Sequence, residues 1–308
     1  MTISALAETN QVIQSLSQLQ TQGNTLEQEI STGLQSPTFS GIAPQATQLV
    51  DLTATQSQQQ GYINTINTVS PTLQTMSLAT STITSLVQQF GTQLQTDAFN
   101  QTGATVQSQA QSLLAQVGDY LNTEGSEGYI FGGIDTTTPP FNASGLPNPG
   151  DLTTPVNGAP PAGYYQGNDT DASAQIDTNL NLQYGVTADN PAFEQVVRVL
   201  NFLANSGPLS ASNPTDVANV NQAQTILGTA TTQLQQLTSG IGAQQAEIND
   251  TLQAHQQSLT LAQSTISNIT QVNSATAITQ LDALQTQMEA SYQTVNILQN
   301  LSLANYMK

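Results

Sequence analysis

The chain has no cysteine and no tryptophan, a single histidine (His255), and only two permanent cations, Arg198 and Lys308, against 20 acids. Without cysteine there is no disulfide framework, thiol nucleophile or thiolate zinc site. One histidine cannot build a histidine metal cluster within one chain. Two cations cannot neutralise the several phosphates from which nucleic-acid binding draws most of its affinity, so nucleic acid is excluded as a partner. Nor can they form a polybasic patch, which gains about 1 kcal/mol per Lys or Arg at an anionic membrane. No run approaches ~18 uninterrupted apolar residues. The opening residues Met1-Thr2-Ile3-Ser4-Ala5-Leu6-Ala7-Glu8 have no basic n-region and no apolar h-region. The expectation is a soluble chain with no membrane role and no cleaved signal. At 308 residues and 37% hydrophobic, against roughly 45% for ordinary globular chains, two domains are expected rather than one large core.

Gln, Thr, Ser, Asn and Ala dominate, which by composition alone reads as disorder, but periodicity decides against that. Ala5, Thr9, Val12, Leu16, Leu19, Gly23, Leu26 and Ile30 recur at alternating intervals of four and three, a heptad seam that needs a partner helix. Gly33 is its predicted stop, and a linker of about ten residues follows, at 34–44. From about Pro44 helical spacing resumes through Leu49, Leu52, Ile63, Ile66, Val69, Leu73, Met76, Ile83, Leu86, Phe90 and Leu94, with a kink expected at Pro71. Val106, Ala110, Leu113, Val117 and Tyr120 mark a third helix over 104–123.

Between residues 125 and 191 the chain turns rich in Gly, Pro, Asp and Tyr. Strict alternation from Ala174 to Tyr184 predicts one half-buried strand. Asn190-Pro191 then offers a helix start, with Phe193, Val196, Val197, Leu200 and Leu203 on its buried side. From about Thr215 the pattern is helical to the end, in three seams. The first is Val220, Ala223, Leu227, Ala230, Leu234, Leu237 and Ile241. The second is Ile248, Leu252, His255, Leu259, Ala262, Ile266 and Ile269. The third is Ala277, Leu281, Leu284, Met288, Ser291, Val295 and Leu298. The phase slips between seams are read as local changes of supercoiling within a continuing helix. The fold class is therefore mainly α with a smaller β-rich insert, an elongated rod of heptad-patterned helices from both termini. Its regions are 1–124, a central insert at 125–208, and 209–308 packing with the N-terminal helices.

Chemistry-bearing candidates are few. His255 sits on an apolar seam, where core packing outweighs a metal or catalytic role. Glu124, Glu127 and Asp135 could be imagined as glycosidase carboxylates, but nothing fixes the ~5–10 Å separation such chemistry needs. Gly128, Gly132 and Gly133 lack the lysine of a phosphate loop. Asn168-Asp169-Thr170-Asp171 lacks the glycine and terminal glutamate of a calcium loop. No catalytic residue, metal or cofactor is expected.

Three stretches carry a family resemblance. Leu26-Glu27-Gln28-Glu29-Ile30-Ser31-Thr32-Gly33-Leu34 is similar to the N-terminal signature of the bacterial flagellin family. Gly128-Tyr129-Ile130-Phe131-Gly132-Gly133, leading to Pro140-Phe141, resembles a Gly-x-Tyr-x-Phe-x-Gly run of the family's hook-filament junction branch. Tyr164-Tyr165-Gln166-Gly167-Asn168 and Gly185 also resemble its insert. Ala290-Ser291-Tyr292-Gln293 and Leu301-Ser302-Leu303-Ala304-Asn305-Tyr306-Met307 look like its C-terminal helix. The motif positions are Gly33, Tyr129, Phe131, Gly133 and Phe141.

The resemblance implies a non-enzymatic, extracellular subunit of the flagellum. Its partners would be copies of itself, flagellar hook-associated proteins and flagellin, an export chaperone and the flagellar secretion apparatus. Pattern and resemblance together place the assembly interface on Val12, Leu16, Leu19, Leu26 and Ile30 at one end of the chain. At the other end they place it on Leu281, Leu284, Met288, Val295, Leu298, Leu301 and Leu303. With so few cations, assembly must rest on apolar seams and amide or hydroxyl hydrogen bonds. The alternative is that the two terminal helices pair only with each other within one monomer. A short flagellin forming the filament itself, or a secreted carbohydrate-active protein, are the other readings.

Overall fold

A computed structural model of the chain describes residues 2–36, 38–98, 104–147, 152 and 163–306; the side chains at 2–9, 39–40, 97, 104 and 299–306 fall outside that description. Packing divides the chain into two units, residues 59–256 and, drawn from both ends, 1–58 with 257–308. Residues of 125–208 share one hydrophobic core with the stretches on either side of them.

In the 59–256 unit the helical seams are the core. Helix α2 is Ala46–Asp97 and helix α5 is Pro214–Thr270, so both extend beyond the unit. On α2 the residues Ile63, Ile66, Val69, Leu73, Met76, Ile83, Phe90 and Leu94 are all buried, and the helix is unbroken through Pro71. Helix α3, Ala104–Leu121, buries Val106, Ala110, Leu113, Val117 and Leu121. Helix α4, Pro191–Asn205, starts as its sequence predicts: the Asn190 side chain accepts from Ala192 N at 3.1 Å and Pro191 fills the first turn. Phe193, Val196, Val197, Leu200 and Leu203 leave no surface exposed. On α5, Val220, Ala223, Leu227, Ala230, Leu234 and Ile241 are buried in the expected heptad.

The β structure described is two antiparallel pairs. Strand β1, Glu124–Gly125, pairs with β2, Gly128–Tyr129. The alternating stretch predicted as one strand folds into two, β3 (Ala172–Asp177) and β4 (Leu180–Tyr184), about a turn at Thr178-Asn179. Asp177 pairs with Leu180, but beyond it Ala174 pairs with Leu182 and Ala172 with Tyr184, leaving Ile176 as an extra residue. Without that shift every even-numbered apolar residue would stand opposite an odd-numbered polar one. The bulge restores the match and carries the period-two pattern through the turn, so the sequence looks uninterrupted.

The terminal unit contains α1, Thr2–Thr32, and α6, Ser274–Tyr306. Gly33 adopts φ +71°, the left-handed cap that lets its N–H reach Glu29 O at 2.8 Å. The second half of the expected linker, 34–44, forms a 3-10 turn, Phe39–Gln45. A second expectation fails here: the last slip does end the helix. α5 stops at Thr270 because the chain beyond it pairs with the segment after Gly33. Gln35 N donates to Thr270 O (2.8 Å), Val272 N donates to Gly33 O (3.0 Å), and Leu34 and Gln271 form an antiparallel bridge. Asn273 then opens α6, its side chain accepting from Thr276 N at 3.3 Å. Ile42, Leu49 and Ile269 are buried together, with Leu52 and Ile266 packed on them. Along these helices hydroxyls turn back on the backbone, as in Thr21 to Ser17 O, Thr25 to Thr21 O and Thr286 to Asp282 O.

Candidate functional site

The predicted interface residues fall on two helices that the structure brings together. α1 and α6 run antiparallel: Gly23 lies 3.5 Å, measured from an ideal Cβ, from Leu284 Cδ2, and Gln20 Nε2 donates to the Tyr292 hydroxyl at 2.8 Å. Val12, Leu16, Leu19, Leu26 and Ile30 on α1 are half-buried, as are Leu281, Leu284, Met288, Ser291, Val295 and Leu298 on α6. Among the described residues of the two seams only Gly23 and Ala277 are buried. Small side chains there let the helices approach, while the larger ones splay and keep part of their surface. Leu301 and Leu303 lie on α6, but their side chains are outside the described residues.

Burying a Leu side chain fully contributes about 1.5–3 kcal/mol, and these positions realise only part of it. A groove of about 520 Å³ runs along the pair, lined by Thr21, Thr25, Leu26, Gln280, Ala283 and Gln287 among others, with no charged residue in its wall. Ile13 (49% exposed), Ile278 (47%), Tyr292 (49%) and Ile297 (59%) add apolar surface outside the seams. Such a surface suits a neighbour that offers apolar side chains and uncharged hydrogen-bonding groups.

The motif residues Tyr129, Phe131, Gly133 and Phe141 are brought together, but as structure. Phe131 is fully buried and meets Phe193 edge-on, with centroids 5.6 Å apart. Phe141 packs on Tyr164 at 5.5 Å, and its backbone is held by Asn122, which accepts from Phe141 N (2.7 Å) and donates to Phe141 O (2.9 Å). Tyr164 in turn donates to Ala188 O at 2.9 Å, and burial pushes its phenol well above the ordinary value. Gly133, at φ +67°, passes so close to Asn168 O that an added Cβ would lie 2.0 Å from it. The run pins the chain between α3 and α4 to the core, which explains its residue types without any ligand.

Two of the carboxylates offered for sugar chemistry are engaged by local partners. Asp135 accepts from Thr137 N (2.9 Å), Thr137 Oγ1 (2.9 Å) and Thr138 N (3.3 Å), and those hydrogen bonds hold it below the usual carboxylate range. Glu124 is engaged by Tyr129, whose phenol it raises by hydrogen bonding. Asn168 accepts from Thr170 N at 2.8 Å in a polar turn. A second groove, about 410 Å³ between α3 and α4, has its amides already spent: Gln111 donates to Ala204 O and Asn201 to Pro147 O. Among the described residues no three His, Cys, Asp or Glu side chains converge as metal ligands, and no helix is long and apolar enough to cross a membrane. Sequence reasoning missed the Gln20–Tyr292 contact and the Leu34–Gln271 bridge; neither has a local signal, since each joins residues far apart in the chain.

Residues 220–307 match the bacterial flagellin C-terminal helical region, in keeping with the resemblance read from the chain's motifs. No curated protein sequence matches it. A Vibrio parahaemolyticus structure assigned as a flagellar hook-associated protein superposes on 75% of this chain and 100% of its own, at 14% identity and a TM-score of 0.60, which shows a common fold. Legionella pneumophila flagellar hook associated protein-3 (75% and 99% covered, 14% identity, TM-score 0.46) and Bacillus cereus FlgL (74% and 99%, 18%, 0.39) superpose too loosely to carry an argument.

Proposed function

We propose that this chain is a structural subunit of the bacterial flagellum that joins hook to filament by self-assembly of its terminal helices. The observation that carries the reading is the flagellin C-terminal match over 220–307, which takes in the whole of α6. The half-covered seams give it a mechanism. Val12, Leu16, Leu19, Leu26 and Ile30 with Leu281, Leu284, Met288, Val295 and Leu298 first pair α1 with α6; neighbouring copies then bury what that pairing leaves exposed. We assign Leu301 and Leu303 to the same assembly interface. The partners are further copies of the chain, hook-associated proteins and flagellin, with an export chaperone covering the seams before the chain leaves through the flagellar secretion apparatus. The working location is extracellular and the role non-enzymatic.

A filament-forming short flagellin is the second reading, favoured by the fact that the matching region is described for flagellin itself. Deleting the gene in its host separates the two. Electron micrographs should show hooks without filaments and flagellin lost to the medium. Hooks carrying normal filaments in a motile cell would overturn the junction role. Trimming about thirty residues from each end of the purified protein should leave a folded remainder unable to polymerise; polymers from that fragment would contradict the interface.

A further inference from the structure

His255 is the only histidine of the chain and is 4% exposed. Three elements of the 59–256 unit meet at it. From α2, the Tyr62 ring stacks on the imidazole with centroids 5.1 Å apart and planes at 26°, and Gln59 Oε1 faces Nδ1. From β3, the Ile176 carbonyl faces Nε2 at 2.7 Å. Ile176 is the extra residue of the bulge, and its side chain is fully buried. α5 supplies the histidine itself.

A backbone carbonyl only accepts, so Nε2 carries a hydrogen. Nδ1 then decides how well the site is satisfied. In the neutral ring Nδ1 is a bare acceptor set against an acceptor oxygen. In the imidazolium both nitrogens donate, one to Ile176 O and one to Gln59 Oε1. The neutral ring fits only when the Gln59 amide turns over and presents its NH2. On α2 the titratable group facing the ring is Tyr62. On the hairpin the titratable group next in sequence to Ile176 is Asp177, whose Oδ1 already accepts from Thr178 N at 2.6 Å. On α5 the acids Asp250 and Glu247 are exposed and lie one and two turns or more away. Among the described residues no carboxylate is hydrogen-bonded to the imidazole, so a charged ring would be held by two neutral oxygens.

We propose that His255 is a proton-operated clasp tying the bulge of the β3–β4 hairpin to α2 and α5. Protonated, it holds Ile176 and Gln59 at once; neutral, it releases Gln59 until the amide turns. The rest of the hairpin keeps separate ties, Gln244 Nε2 to Gln183 O at 3.1 Å and the Tyr62 hydroxyl to Thr178 Oγ1 at 3.3 Å. The change is therefore a local loosening and not an unfolding. The inference is independent of the flagellar reading.

The test is amide hydrogen exchange on the full chain from about pH 5 to about pH 8, where histidines in general change charge. Rates are corrected for intrinsic exchange and referenced to α4. Protection of the β3 and β4 amides should fall roughly fivefold relative to α4 as pH rises, because the Nε2–H bond to Ile176 O persists but loses its charge assistance, worth about 1 kcal/mol. His255→Gln, which cannot titrate, should show no fall, and Gln59→Glu should move the fall to higher pH. A wild-type ratio that stays flat, or an equal fall in His255→Gln, overturns the clasp. Should His255→Gln not fold, ring nitrogen shifts of the wild-type histidine decide: imidazolium shifts at the acid end support it, and a single neutral tautomer throughout overturns it.

Discussion

In the 59–256 unit Phe193, Leu200 and Leu203 have no exposed surface, whereas in the terminal unit Leu16, Leu19, Leu284 and Leu298 keep part of theirs. Both sets sit on heptad or amphipathic patterns of similar quality in the sequence. In the first unit residues of α2, α3, α4 and α5 share one hydrophobic core. The second offers each seam one neighbour. The same residue types therefore finish their burial within the chain in one place and leave it unfinished in the other, and an unfinished apolar seam is what an assembling surface requires.

The comparison can be broken most sharply at Phe193. Phe193→Ala should cost about 3–5 kcal/mol, because a fully buried ring loses its transfer energy and leaves a cavity. Urea denaturation followed by a probe in α4 measures it, and a cost near 1 kcal/mol would mean the inner core is no better packed than the outer seam. Next is Leu284→Ala on the α1–α6 seam, where partial burial limits the loss in the monomer to about 1–2 kcal/mol. Polymerisation should suffer far more than monomer stability. Equal losses in both assays would mean that the seam serves the monomer alone.

The smallest expected effect sharpens the electrostatic side. Burial raises the Glu194 carboxyl, with Arg198 pulling the other way. A carboxyl raised on folding binds its proton more readily in the native state, so its contribution falls as pH climbs from the ordinary carboxylate value through the raised one. Glu194→Gln should therefore gain stability relative to the wild type at neutral pH and show no such gain in acid. Denaturation midpoints at the two pH values check the sign.

How far the sequence foretold this molecule varies from element to element. Asn190-Pro191 announced α4 because capping is local chemistry, and the heptads announced α1, α2, α5 and α6 because burial has a period. The hairpin was legible only as a strand, since the bulge at Ile176 hides the turn from any parity argument. The break at residues 271–273 was missed because no Gly or Pro marks it. Its cause is pairing with the segment after Gly33, more than two hundred residues earlier. Phe131 and Phe141 were noticed as part of a motif, but their part in pinning the core emerges only from their contacts with Phe193 and Tyr164. That α1 faces α6, with each covering only part of the other, depends on long-range closure that no local spacing encodes.

The Gln20–Tyr292 contact joins residues 272 positions apart, with the entire 59–256 unit between them. On a ribosome working at roughly 5–20 residues per second, α1 is finished tens of seconds before α6 exists. Through that interval its row of leucines has no mate of its own, and the first thing to reach it in a crowded cytosol will be some other molecule. The ordering of two helices along a polypeptide thus becomes a matter of timing: the seam made first is the one that waits longest for cover.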